Sequence, residues 1–260
     1  MMNPIKGLLI KDYRISRFHF LTWVVAIIVL LSFGVVFSAY TNQPAGTFFI
    51  FILVGISIVG IAPIMMLSLL TIEGKNQLWL YSPRSSYTLL LSKFAVILTY
   101  QFIIQILLTI YGAISMYWFG KSVYQQLSTG MFIELIAVIN IALLLTGIYF
   151  TCWLIFYWSI YHSLKKYPKI RPFRWLVIIV LFFAYNLFEA FLIRLEIVKN
   201  FVSLYQLNIV SNTSLNYVDD EWNVLFDTAT IPITPIIYYT LLAFLLFFAT
   251  SRFLERKVEV

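Results

Sequence analysis

Long apolar runs separated by short polar stretches organise this chain. A helix that crosses the hydrocarbon of a bilayer needs about 20 mostly apolar residues. Runs at 18–40, 47–72, 87–119, 131–161, 175–195 and 233–253 reach that length. Two of them, 87–119 and 131–161, are long enough to tilt or protrude. The stretches between them carry turn and cap signals. Thr41-Asn42-Gln43-Pro44-Ala45-Gly46 is a tight turn between the first two runs. Ser85-Ser86 stands where it would cap the third helix, and Pro232 and Pro235 open the sixth. The pattern predicts an all-α integral membrane protein of six transmembrane helices in a single domain, 1–260. No repeat of 20–50 residues and no soluble domain is apparent. The first apolar run is too long for a signal-peptide core, and Ser38-Ala39-Tyr40 is a weak cleavage site.

Composition supports lipid as the solvent. Of the 260 residues, 62% are hydrophobic and 11% charged, against roughly 25% charged in average soluble domains. A soluble fold of this size could not hide so much apolar surface. The net charge of +7 would suit nucleic acid if it formed one patch, but the charges fall between the apolar runs, as membrane topology requires. No nucleic-acid partner is expected. The single cysteine, Cys152, rules out an intramolecular disulfide and most thiolate metal sites, and reads as packing.

Lys and Arg set the orientation. One side holds Lys6, Lys11, Arg14 and Arg17; Lys75, Arg84 and Lys93; Lys165, Lys166, Lys169, Arg171 and Arg174; and Arg252, Arg256 and Lys257. The other side holds Lys121, Arg194 and Lys199. The bias places both termini in the cytoplasm and the acidic Asp219, Asp220, Glu221 and Asp227 outside. Ahead of the first span, residues 1–17 read as an interfacial helix on the inner leaflet. At about 100° per residue, Ile5, Leu8, Leu9 and Tyr13 share one face and Lys6, Arg14 and Arg17 another. Asp12 falls on the apolar face and Ile10 on the polar one. A basic topology signal alone would account for the same charges.

Catalytic and metal motifs are missing where they would be expected. His19 and His162 are far apart, and neither belongs to a metal-binding motif. Gly120-Lys121-Ser122 would need an earlier glycine at Ser115, and Gly74-Lys75 would need one at Leu69, so neither is a phosphate-binding loop. The chain is not expected to be an ATPase or another enzyme, and no cofactor is expected on it. Asn212-Thr213-Ser214 matches a glycosylation sequon by spacing alone. Polar groups within the spans are few: Gln101 and Gln105, Asn140, Asn186 and Glu189, with Glu134 and Arg194 nearer the outer ends. An ionisable group in hydrocarbon costs at least a few kcal/mol, so it should face protein or water. These residues are candidates for a translocation path. Interhelical hydrogen bonding is the plainer role, with Arg194 a candidate partner for Glu189. Interface belts account for most of the aromatics, which are 18% of residues. Pro63 removes a backbone donor from the second span and predicts a kink.

The first inner loop, between the second and third spans, is the most informative segment. It reads Glu73-Gly74-Lys75-Asn76-Gln77-Leu78-Trp79-Leu80-Tyr81-Ser82-Pro83-Arg84 and runs on to Tyr87. Leu78, Trp79, Leu80 and Tyr81 would be costly to leave in water, so they call for a membrane surface or a protein partner. Six spans, a basic N-terminal helix and this Glu-Gly-Lys-x-Gln-Leu-Trp-Leu-Tyr-Ser-Pro loop resemble the ABC-2 type exporter permeases. The nearest likeness is to permease subunits of the phenol-soluble modulin exporter and related small exporters of Gram-positive bacteria. In topology the resemblance covers the whole chain, and in motif only about 72–93.

That resemblance implies a subunit of an ABC transporter in the bacterial plasma membrane. Two copies of a separate ATP-binding subunit would carry ATP and Mg, and a second permease, identical or related, would complete a dimer. Glu73, Gly74, Lys75, Gln77, Leu78, Trp79, Leu80, Tyr81, Pro83 and Arg84 would lie on the element that couples to the ATPase. The basic loop 165–174 would add a contact, or serve topology only. A long extracellular loop, about 196–231, carries Phe201, Leu204, Tyr205, Leu207, Trp222 and Phe226, and is expected to fold onto the outer face. The sparsely charged spans suit an amphipathic peptide, such as a phenol-soluble modulin or antimicrobial peptide, or a lipid-like cargo. Competing readings are a non-transporting immunity or sensor protein that binds peptides, a proton-coupled secondary transporter working through Glu134 or Glu189, and an intramembrane enzyme with Glu189 as base. The last lacks a second convergent group.

Overall fold

A computed structural model of the chain describes residues 4–42, 45–75, 85–119, 129–218 and 221–256. Among these, six helices are long and apolar enough to cross a membrane. They are α1 (Pro4–Thr41), α2 (Ala45–Lys75), α3 (Ser86–Ile114), α4 (Thr129–Ser163), α5 (Arg174–Arg194) and, after a short α6 (Glu196–Ser203), α7 (Ile233–Arg256). The protein is a multi-pass membrane protein whose crossings are all α-helices, and the six crossings match the six apolar runs.

The helices overshoot the apolar runs because the helix does not stop where the hydrocarbon does. At 1.5 Å per residue α1 is about 57 Å long, far more than the roughly 30 Å of hydrocarbon. The basic N-terminal helix is therefore continuous with the first span, from Pro4 to Thr41. Asn42 ends it with φ +52°, the left-handed conformation that asparagine tolerates after a helix. α2 runs unbroken through Pro63. Ser85 occupies the N-cap position of α3, but its side chain makes no capping bond. It meets the Thr88 hydroxyl at 3.0 Å instead. The outer end of α3 widens into a π-helical turn, Ser115–Phe119.

α2 sits at the centre, packed on α1, α3 and α4, and α7 closes against α4 and α3. The buried core is correspondingly rich in α2 and α3 residues: Val54, Ile58, Met66, Leu69, Leu90, Ile97 and Ile104 are all at 0–1% exposure. By contrast, α5 has no buried residue.

Helices α1, α2 and α3 are pinned together at their outer ends by hydroxyls. The Thr47 backbone N–H donates to Ser38 Oγ at 2.8 Å, which satisfies one open donor in the first turn of α2. The Ser115 hydroxyl donates to Thr47 Oγ1 at 2.6 Å. A Cβ on Gly46 would lie 2.5 Å from Phe37 and 2.9 Å from Ser38 Oγ, so only glycine lets α2 start this close to α1.

The outer segment between α5 and α7 is more ordered in type than an apolar loop. After α6 come strands β1 (Gln206–Val218) and β2 (Glu221–Pro232), an antiparallel hairpin with Gln206 opposite Pro232 and Val218 opposite Glu221. The register shifts between Val210 and Asn212. At its base, Ile233 N–H donates to Tyr205 O at 3.0 Å.

Candidate functional site: a charge network joining α1, α2 and α3

α1, the end of α2 and the start of α3 converge on the side that the basic residues mark as cytoplasmic. There they bring four charged groups together, three of them buried and the fourth, Lys11, at the edge. Lys93 of α3, at 0% exposure, donates to Asp12 Oδ1 at 3.2 Å and reaches Glu73 Oε2 at 2.7 Å. Lys11 reaches the other Glu73 oxygen at 2.5 Å and lies 3.6 Å from Asp12. The Ser92 hydroxyl donates to Asp12 Oδ2 at 2.6 Å. Two carboxylates and two ammonium groups balance one another, which offsets part of the cost of holding charges out of water.

Polar contacts continue along α1. Ser16 is within hydrogen-bond distance of the Tyr100 hydroxyl, at 2.9 Å, and donates to the Asp12 carbonyl at 2.7 Å. Tyr100 stacks on Phe20 with centroids 4.1 Å apart.

This arrangement accounts for the residue that breaks the faces of the N-terminal helix. Ile5 and Tyr13 are about half exposed, while Asp12 and Ser16 are buried. Both the lipid and the protein interior are apolar, so a membrane helix can turn its polar residues inward where partners satisfy them. Asp12 lies off-pattern because it is a partner of Lys93. Glu73 is likewise turned into the bundle at 2% exposure. Gly74 is half-buried and Lys75 exposed. Gln77, Leu78, Trp79, Leu80, Tyr81, Pro83 and Arg84 lie outside the described residues. The network thus clamps both shoulders of that segment, the last turn of α2 and the second and third turns of α3, onto α1.

The polar residues of the spans separate into two groups. Gln101 and Gln105 belong to a hydrogen-bonded seam between α3 and α4. Gln101 Nε2 donates to Leu143 O at 2.9 Å and Gln105 Nε2 to Asn140 O at 3.1 Å. Asn140 Nδ2 donates to Thr109 Oγ1 at 3.0 Å and to Ile136 O at 2.9 Å. Gly147 makes room for the seam: a Cβ there would lie 2.6 Å from Gln101 Nε2. Gln101 Oε1 is buried with no hydrogen-bond partner among the described residues.

Glu189 and Asn186 stand apart on α5. Glu189 accepts a hydrogen bond from the Tyr239 hydroxyl of α7. Tyr149 and Tyr185 meet through their hydroxyls at 3.2 Å, and Trp153 packs on Tyr185 at 4.4 Å. Asn186 only donates back to Phe182 O at 2.7 Å. Among the described residues Glu189 forms no ion pair, so Arg194 is not its partner; an α-helix places residues five apart on diverging faces. Among the described residues no group of His, Cys, Asp and Glu is placed to hold a metal.

Taken together, these features define a multi-pass membrane protein with one corner, where α1, α2 and α3 meet, clamped by charge. No family model matches the chain. It is 29% identical, along the whole length of both proteins, to a protein of Bacillus subtilis (strain 168) named Uncharacterized protein YhcE.

Proposed function

We propose that this chain is the permease subunit of an ATP-driven ABC exporter of the bacterial plasma membrane, moving an amphipathic peptide or lipid-like cargo outward. ATP would be hydrolysed by two copies of a separate subunit docked beneath the 73–87 segment. The observation that carries this reading is the Asp12–Lys93–Glu73–Lys11 network. A segment that only joined two spans would not need both its shoulders fixed to a third helix by buried charge. A segment that receives force does, since the clamp makes α1, α2 and α3 move as one body when the partner pushes. The hydroxyl contacts among Ser38, Thr47 and Ser115 hold the same three helices at the far end. In this mechanism Glu73 anchors the coupling element, and the aromatic residues from Leu78 to Tyr81 make the contact. α5, with no buried residue, offers its surface to the second permease.

A test uses the complex with its ATPase in proteoliposomes. Trp79→Ala and Glu73→Gln should each lower cargo-stimulated ATP hydrolysis. Unchanged coupling in both variants would contradict the assignment.

A proton-coupled transporter is the second reading, favoured by one observation: Glu189 stands in a span with a tyrosine as its hydrogen-bond partner and, among the described residues, no cation paired with it. Transport driven by a pH gradient without any ATPase, and lost in Glu189→Gln, would favour it.

A further inference from the structure

The cytoplasmic elbow between α4 and α5 holds a cleft that neither the coupling segment nor the polar residues of the spans account for. From Tyr161 to Trp175 the chain has five cations among its Lys and Arg residues, Lys165, Lys166, Lys169, Arg171 and Arg174, and no acid. Two 3₁₀ turns, Leu164–Lys166 and Arg171–Phe173, fold this stretch tightly back, so α5 begins beside the end of α4. The fold leaves an open concavity of about 410 Å³ lined by Tyr161, Pro168, Arg171, Pro172, Arg174 and Trp175.

Arg174 is held in a fixed pose. Its guanidinium lies 4.4 Å from the centre of the Tyr161 ring. Its Nε donates to Arg171 O at 3.0 Å and its Nη1 to Tyr161 O at 3.4 Å. A cation placed only to set topology needs no such positioning. A planar guanidinium pre-oriented by stacking and by two carbonyls loses little entropy when it binds an oxyanion, and its remaining N–H groups match phosphate geometry. The cleft also sits where two spans leave the bilayer, and Trp175 and Tyr161 are ring types that settle at headgroup depth.

We infer that this elbow is a binding site for the phosphate of an anionic phospholipid of the inner leaflet, with Arg171 and Arg174 on the phosphate and Trp175 beside the acyl chains. Charge selects this occupant. An acid-free basic cleft at headgroup level attracts anionic lipid and gains nothing comparable from a zwitterionic one. The site does not depend on the transport reading, because a lipid held here would fix the α4–α5 elbow in any multi-pass protein.

The test is native mass spectrometry of the purified chain with added phosphatidylglycerol or phosphatidylcholine. Three proteins are compared: the unaltered chain, Arg171→Gln/Arg174→Gln, and a control, Lys6→Gln/Arg14→Gln, that removes two exposed cations elsewhere on the same side. The expected result is preferential retention of phosphatidylglycerol by the unaltered chain. Retention should fall roughly tenfold or more in the elbow variant and be little changed in the control. Arg174→Lys, which keeps the charge but loses the planar fork, should fall in between. Three results would overturn the site: equal retention of both lipids by the unaltered chain, no effect of the elbow variant, or an equal loss in the control. The last would show attraction by net charge alone. The lipid comparison on the unaltered chain decides the matter even if the elbow variant does not fold.

Discussion

Lys93 on α3 reaches Glu73 on α2 at 2.7 Å, and the two residues stand on opposite sides of the first inner loop. Lys93 is also bonded to Asp12 of α1. One ammonium group therefore joins the helix that enters the loop, the helix that leaves it and the N-terminal helix. Removing it would leave two carboxylates buried with only the half-exposed Lys11 between them. Lys93→Met should destabilise the protein by about 3–5 kcal/mol, the usual cost of breaking a buried pair from one side. Adding Asp12→Asn and Glu73→Gln should recover part of the loss. Denaturation in mixed micelles, read by circular dichroism, checks this. A Lys93→Met protein as stable as the parent would mean that the network is not closed in solution.

The α3–α4 seam gives a steric prediction. A methyl group on Gly147 would overlap the Gln101 amide, whose nitrogen is 2.6 Å from the Cβ position. Gly147→Ala should cost about 1–3 kcal/mol, typical of overpacking. In Gln101→Ala the same methyl group should be nearly neutral, because the clash partner is gone. Equal costs in both backgrounds would show that the two residues are not in contact.

Glu189 and Tyr239 should behave as a coupled pair. Tyr239→Phe removes the hydroxyl that donates to the carboxylate, and hydrogen bonds to charged groups contribute about 1.5–3 kcal/mol. The loss should appear with Glu189 present and largely vanish in Glu189→Leu. A double-mutant cycle on the unfolding midpoint measures this coupling. Additive effects would separate the residues.

The membrane crossings are legible in the sequence because a run of about 20 apolar residues matches the thickness of the hydrocarbon. The helix ends that this rule misses are those where polar residues continue a helix past the lipid, and the start of α1 at Pro4 is the clearest case. The hairpin is hidden when its apolar residues are taken as content and emerges only from their alternation. Trp222, Val224 and Phe226 recur every second position, and Leu215 and Tyr217 do the same on the facing strand, the period of a β-strand. The charge network leaves a signal as well. Asp12 is the one acid in a basic helix and Lys93 a cation within an apolar run, yet each breaks the pattern in isolation. Their pairing spans 81 residues of chain, and periodicity within one helix cannot reveal it. Gln101, Gln105 and Asn140 are recognisable as polar groups needing partners. That those partners include carbonyls of the neighbouring helix depends on how α3 and α4 cross, which hydropathy does not encode.

Co-purification measures the central claim most directly: the detergent-solubilised chain is drawn from its native membrane and its partners are identified by mass spectrometry. The account predicts an ATP-binding subunit that is recovered with the parent and lost in Trp79→Ala/Tyr81→Ala, while the variant keeps the helical content of the parent. A chain recovered at full yield with no ATP-binding subunit, or one whose partner is retained in the variant, would contradict it.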